Sequence, residues 1–366
     1  MRKQFKSALE RKTGLRVLVF LLIAALLFVY LNQVFSIGNT DASKEIIHSF
    51  YEEEDDTIDV LYMGTSATNR YYNPGQAYEE EGVAAYNMAV MGMPMFFMST
   101  MIDEVEKTQD PGLYIIEIRN VLKSKNEVTD AHIRRVTDSM KFSADRFKAV
   151  NIALEYTEGA KGELSDVDEE KLSYYIPVIK YHSRATSGEL TAGDVFLTDG
   201  QSAVKGYVLS PLTVTQKAQK ESVYSDERSA LAPEMAAAFE DALKRCDKLR
   251  AEGKEILFVL SPYVVREGQM DKFNTAKDMI EAHGFDFLNC NDAAVLEEMD
   301  IDWETDFYNS KHVNYQGAEK YTRFLTKYIK ENYEIPDRSG DENYSSWSEA
   351  YDKYQDYVKD GIETYK

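Results

Sequence analysis

Ile58-Asp59-Val60-Leu61-Tyr62-Met63-Gly64-Thr65-Ser66 opens with a short apolar run that Gly64 stops, and it decides the fold. A run with no polar alternation reads as a strand covered on both faces, as in a parallel sheet. A second run, Val83 to Val90, ends before Gly92. A third, Leu113 to Ile118, follows the turn signal Asp110-Pro111-Gly112, and Pro94 to Lys107 between them has helical character. This is the βαβ order of a parallel sheet. From about 120 to 206 the pattern lapses into polar and aromatic sequence with weak helical periods, which reads as a long helical insertion. Strand and helix order resumes with a helix over Asp226–Glu252 and a buried strand over Glu255–Leu260, ended by Ser261-Pro262. A helix over Met270–His283, a short strand over Phe285–Leu288 and an amphipathic helix over Gly317–Asn332 follow. The expected fold is therefore α/β, three layers around a parallel sheet drawn from both ends of the chain.

The 366 residues carry a net charge of −21, and an acidic body of this kind repels phosphate backbones, which argues against nucleic-acid binding. Positive charge is concentrated at the start: Arg2, Lys3, Lys6, Arg11, Lys12 and Arg16 precede Val17–Ile37, where only Asn32, Gln33 and Ser36 are polar. As a helix that segment spans roughly 31 Å, enough for a hydrocarbon core. The basic flank predicts a cytoplasmic N-terminus and an extracytoplasmic body. A cleaved signal peptide is the competing reading, opposed by the length of the run. The expected organisation is a basic segment 1–16, a membrane helix 17–37, an acidic linker 38–56, an α/β domain 57–335 and a C-terminal amphipathic helix 336–366. In that helix Trp347, Tyr351, Tyr354, Val358 and Ile362 form one stripe, expected to pack back on the domain, with a partner or membrane surface as the alternative. Cys246 and Cys290 fit no disulfide framework or metal spacing and read as buried thiols.

The first strand runs straight into Gly64-Thr65-Ser66, at the sheet edge where open α/β folds bind ligands, so Ser66 is a nucleophile candidate. Serine is also an ordinary helix cap, and the turn alone says little. A base stands far downstream in Asp306-Phe307-Tyr308-Asn309-Ser310-Lys311-His312, whose histidine can remove a serine proton near neutral pH. His48, His132 and His283 sit in segments with no partner pattern. No Gly-x-Gly-x-x-Gly or P-loop occurs, and the alternating acids Asp300 to Asp306 lack the Gly and Glu an EF-hand needs, so no cofactor or metal is expected.

Taken together, Gly64-Thr65-Ser66 and Asn309-Ser310-Lys311-His312 resemble the SGNH (GDSL-like) hydrolase superfamily. The continuation His312-Val313-Asn314-Tyr315-Gln316-Gly317 is similar to the membrane-anchored group that includes DltD-like and alginate-acetylation proteins. The resemblance implies a flavodoxin-like three-layer sheet with Ser66 as nucleophile and His312 as base. Asn309 would occupy the place of the triad acid, with Asp306 the alternative acid. It also implies oxyanion donors at Ser66 and Gly92, with Asn120 as a third, and Arg119 as an alternative charge-stabilising or substrate-binding group. His182 and Arg184, in Tyr181-His182-Ser183-Arg184, are candidate substrate-binding residues, as surface structure is for the same cluster. The implied activity is O-acyl transfer to a cell-envelope polysaccharide or teichoic-acid-type polymer. The acyl donor would arrive through a multipass membrane acyltransferase of the MBOAT type. A hydrolytic esterase and a non-catalytic scaffold or glycan-binding partner are the alternatives.

Overall fold

The computed structural model describes residues 2–38, 41–162, 167–197, 204–219 and 223–364. The parts of the expected segments at residues 1, 39–40, 163–166, 198–203, 220–222 and 365–366 lie outside the described residues. Five strands, β1 (Val60–Gly64), β2 (Ala85–Ala89), β3 (Leu113–Glu117), β4 (Glu255–Leu260) and β5 (Asp286–Asn289), form one parallel sheet in the order β2-β1-β3-β4-β5. The α/β class expected from the apolar runs is the one found.

Every residue of β1, β2 and β3 is buried, because helices cover both faces. Alternation along β1 sends Leu61 and Met63 into one core with Ile116 and Phe258, and Val60 and Tyr62 into the other with Ile115 and Val259. The first core is closed by helices that include Pro233–Ala251 and Gln269–Ala282, the second by Tyr315–Asn332.

The segment expected as an acidic linker folds instead. Residues Ala42–Phe50 form a helix capped by Asp41, and Ile46, Ile47 and Phe50 are fully buried beneath β2. Its apolar face, spaced at 46, 47 and 50, outweighs the five acids that follow it. The insertion is a set of short helices, among them Asp130–Thr137, Ala144–Tyr156, Val178–Tyr181 and Ala192–Phe196. At the chain start, Arg2–Val34 is one helix, and Lys12–Val34 within it is long and apolar enough to cross a membrane. Cys246 and Cys290 are separate, buried free thiols.

The C-terminal helix Ser345–Thr364 packs back on the domain. Trp347 is buried and donates from its indole N–H to the Ala85 carbonyl at 2.8 Å, closing the free edge of β2. Lys205 stands 3.8 Å from the centre of the Trp347 ring, and its own carbonyl accepts from Asn87 N–H on the same edge. Trp347→Ala should lower unfolding free energy by about 3–5 kcal/mol, since it empties a buried aromatic site and leaves a strand carbonyl unpaired. Urea denaturation followed by circular dichroism of the full chain in detergent measures this, with Trp347→Phe expected to lose less.

Candidate functional site

The chain leaves β1 for β2 on one side and returns to β3 on the other, so the connections diverge at the carboxyl ends of β1 and β3. A crevice forms where such connections part. Ser66 follows β1, Arg119 and Asn120 follow β3, and Ser261-Pro262 follows β4, all at this edge. The turn into Ser66 is held by the Thr65 side chain, which accepts from Ala67 N–H. Gly64 is required by close approach: a Cβ there would stand 2.5 Å from Thr68 Oγ1 and 2.9 Å from Glu117 Cβ.

Opposite this turn lies a small antiparallel hairpin, β6 (Phe307–Asn309) and β7 (His312–Val313). It delivers His312 Nε2 to 2.8 Å from Ser66 Oγ across 246 residues of sequence. On the other side of the ring, Nδ1 lies 3.1 Å from Asn309 Oδ1. That same oxygen accepts the Lys311 N–H at 2.8 Å, so it is an acceptor and His312 Nδ1 must be the protonated nitrogen. The lone pair of Nε2 is then free to receive the serine proton. The Asn309 amide thus fixes the tautomer a general base requires, without a charge.

Asp306, the alternative acid, does not reach the imidazole. It is buried, with Oδ2 accepting from Asp302 N–H at 2.7 Å and from Lys320 Nζ at 2.9 Å, and Oδ1 accepting from the Thr305 hydroxyl. Its carboxylate braces the hairpin's approach instead. The Asn and Gly of the downstream motif have the same kind of work. Asn314 caps Tyr315–Asn332 by accepting from Gln316 and Gly317 N–H, and a Cβ on Gly317 would collide with the Asp306 carbonyl and Val313.

Arg119 is also a positioning group. Its guanidinium pairs with Glu117 at 3.1 Å and donates to Ser261 Oγ at 2.9 Å and to the Lys311 carbonyl at 2.5 Å, which ties β3, β4 and the hairpin together. Tyr71 and Tyr263 lie against it at 4.9 and 4.8 Å from their ring centres. Tyr71 and Tyr72 are fully buried and pack in the second core. Asn120 is buried and donates to the Met93 carbonyl at 3.2 Å, steadying the loop that carries Gly92. Gly92 has φ +73°, and among the described residues neither its N–H nor that of Ser66 has a protein acceptor.

His182 and Arg184 stand elsewhere. His182 is exposed and contacts the Ile179 carbonyl through Nδ1, while Arg184 is buried, paired with Asp194 at 2.7 Å and donating to the Ser36 carbonyl. Neither lines the cleft, because this later part of the insertion packs against the end of the N-terminal helix.

Ser66, Gly92, Asn120, Arg119 and His312 line one cleft of about 750 Å³. Its wall also holds Lys123, Arg266, Lys272 and Lys311, against only Glu127 and Glu267. A cationic pocket in a chain of charge −21 is a local concentration of positive potential. Sequence reasoning did not single out Lys123, Arg266 and Lys272, since isolated basic residues in loops give no pattern. It likewise missed His132, whose ring packs on Gly92 with Nε2 3.4 Å from Lys123 Nζ. Burial brings Lys123 down to about 8, and burial with the nearby Lys123 and Arg135 charges brings His132 down to about 4.

His312 is lowered to about 3, first by burial and then by the positive charges of Arg119, Arg70 and Lys311. The neutral form is the one able to accept a proton and it persists above that value, so no His312 limb is expected between pH 5 and 8. The acylation rate of Ser66 by a small activated ester, measured against pH, should be flat there on the acid side. Asn309→Asp adds a carboxylate that favours imidazolium, raises the His312 pKa and moves the limb into range, with a rate gain of about tenfold or more at pH 8.

Comparison with protein-family models and with curated proteins gave no match. The reading of the site therefore rests on its own geometry.

Proposed function

We propose that this chain is a membrane-anchored, serine-dependent O-acyltransferase of the SGNH type. It would act outside the cytoplasm on an anionic cell-envelope polymer. The observation that carries the reading is the continuous relay from Ser66 Oγ to His312 Nε2 and from Nδ1 to Asn309 Oδ1 in the crevice at the carboxyl ends of β1 and β3.

In the proposed cycle Ser66 Oγ attacks the acyl carbonyl of the donor while His312 Nε2 takes the hydroxyl proton. The developing oxyanion is held by the N–H groups of Ser66 and Gly92, in a cleft whose positive charges favour it. Collapse expels the donor's leaving group, which receives the proton from His312 and leaves an acyl-serine. An acceptor hydroxyl, deprotonated in turn by His312, then attacks the acyl carbon and restores Ser66. Water in place of that hydroxyl makes the same site an esterase. The basic wall favours a polymer carrying phosphate or carboxylate groups as acceptor. The helix Lys12–Val34, with basic residues before it, supports an anchor with the body outside, where a multipass MBOAT-type acyltransferase would supply the donor.

Intact mass of the full chain in detergent after exposure to an activated acyl ester tests the chemistry. One acyl adduct localised to Ser66 is expected, absent in Ser66→Ala and formed at least a hundredfold more slowly in His312→Ala. No adduct on the native chain would instead favour the non-catalytic scaffold. Acceptor-dependent turnover without equal release of free acid separates transfer from hydrolysis.

A further inference from the structure

The insertion grips the end of the N-terminal helix. Tyr30 donates from its hydroxyl to the Val195 carbonyl at 2.7 Å, and Val178 N–H donates to Asn32 Oδ1 at 3.3 Å. Arg184 donates to the Ser36 carbonyl at 2.9 Å, and Phe28 meets Phe142 edge to face at 5.8 Å. Val178 and Val195 each immediately precede a large apolar side chain left in the open, Ile179 and Phe196, and Leu197 follows. Phe196 is 75% exposed, an extreme value for a phenylalanine on a folded surface.

Helix length gives this placement its meaning. Side chains of the helix are open from Val17 to Tyr30, apart from a partly covered Val29, and Asn32, Val34 and Ser36 beyond them are buried under the insertion. The open stretch spans about 21 Å at 1.5 Å per residue, against roughly 30 Å of hydrocarbon. Of the shortfall of about 9 Å, roughly 6 Å is the last turn, Leu31–Val34, which is wholly or partly covered by protein. Elements at that level must themselves meet lipid, and they can do so only if their outward side chains are apolar and their backbone polar groups are satisfied. The short helices Val178–Tyr181 and Ala192–Phe196 place Ile179 and Phe196 at this level.

We propose that Ile179, Phe196 and Leu197 are a lipid-facing seat, embedding the insertion in the membrane boundary around the C-terminal end of the spanning helix. The proposal rests on the reading of Lys12–Val34 as a membrane span. The seat fixes the insertion, and through it the domain, close to the bilayer rather than at the end of a loose tether. Lipid is the occupant because the three side chains continue the apolar surface of the helix itself.

The test uses the full chain in phosphatidylcholine nanodiscs, with an environment-sensitive fluorophore on single introduced cysteines. Cys246 and Cys290 are fully buried and leave labelling to the new site. Phe196→Cys and Ile179→Cys report the seat, Leu22→Cys the middle of the helix and Tyr357→Cys the C-terminal helix. Lipids carrying quenchers on their acyl chains should quench positions 22, 179 and 196 by at least half and leave 357 unchanged. Quenching at 22 with none at 179 and 196 overturns the seat while leaving the span intact, and is the result a protein-binding face would give in lipid alone. No quenching at 22 removes the span and the proposal with it.

Discussion

The pair of buried Glu117 and partly buried Arg119 is the constraint on which the rest of the site depends. A guanidinium removed from water must be paired and hydrogen-bonded, and here its partners come from three places: the end of β3, Ser261 after β4, and the Lys311 carbonyl in the hairpin. Satisfying one cation therefore fixes the hairpin against the sheet. His312 is the next residue, and its 2.8 Å approach to Ser66 follows from that anchoring. Rigidity matters because a serine–histidine bond between segments so far apart in sequence has no local geometry to enforce it. Arginine suits the position better than lysine, since its planar fork can serve several acceptors at once.

The parallel sheet was legible because β1, β3 and β4 are apolar runs with both faces buried, and burial on both faces removes the alternation that marks other strands. Ser66 and His312 were legible as a pair because each stands at a turn that interrupts such order. Asn309 and Asp306 were not separable from sequence: both lie within a few residues of His312, and only the hairpin's register decides which one reaches Nδ1. A helix at 42–50 was hidden by the acidic run behind it, although its buried face was present at 46, 47 and 50. The cleft's basic wall was illegible for a different reason, since Lys123, Arg266 and Lys272 converge only through the fold. Glu117 did carry a signal, being a charge inside a run of apolar strand residues, where a charge has to find a partner.

The electrostatics of the site are unusual for a base-assisted nucleophile. Positive neighbours and burial keep His312 neutral, which preserves its lone pair, yet they oppose the imidazolium that forms once the proton is taken. With Asn309 in place of a carboxylate, no charge on the hairpin compensates. Negative charge has to come from elsewhere. In the proposed reaction one source is the oxyanion, which would form in the same step and lie among the same cations. The other is an anionic acceptor in the cleft, whose charge would offset Arg119 and Lys311, raise the affinity of His312 for protons and make it a better base once the acceptor is bound. An empty or neutral-filled cleft would then hold a weak base, and an acceptor of the right charge a stronger one. On the proposed transferase reading, selectivity for an anionic polymer over water would follow from this arrangement without a dedicated lid: the group that binds the acceptor's charge would also set the strength of the base that activates its hydroxyl.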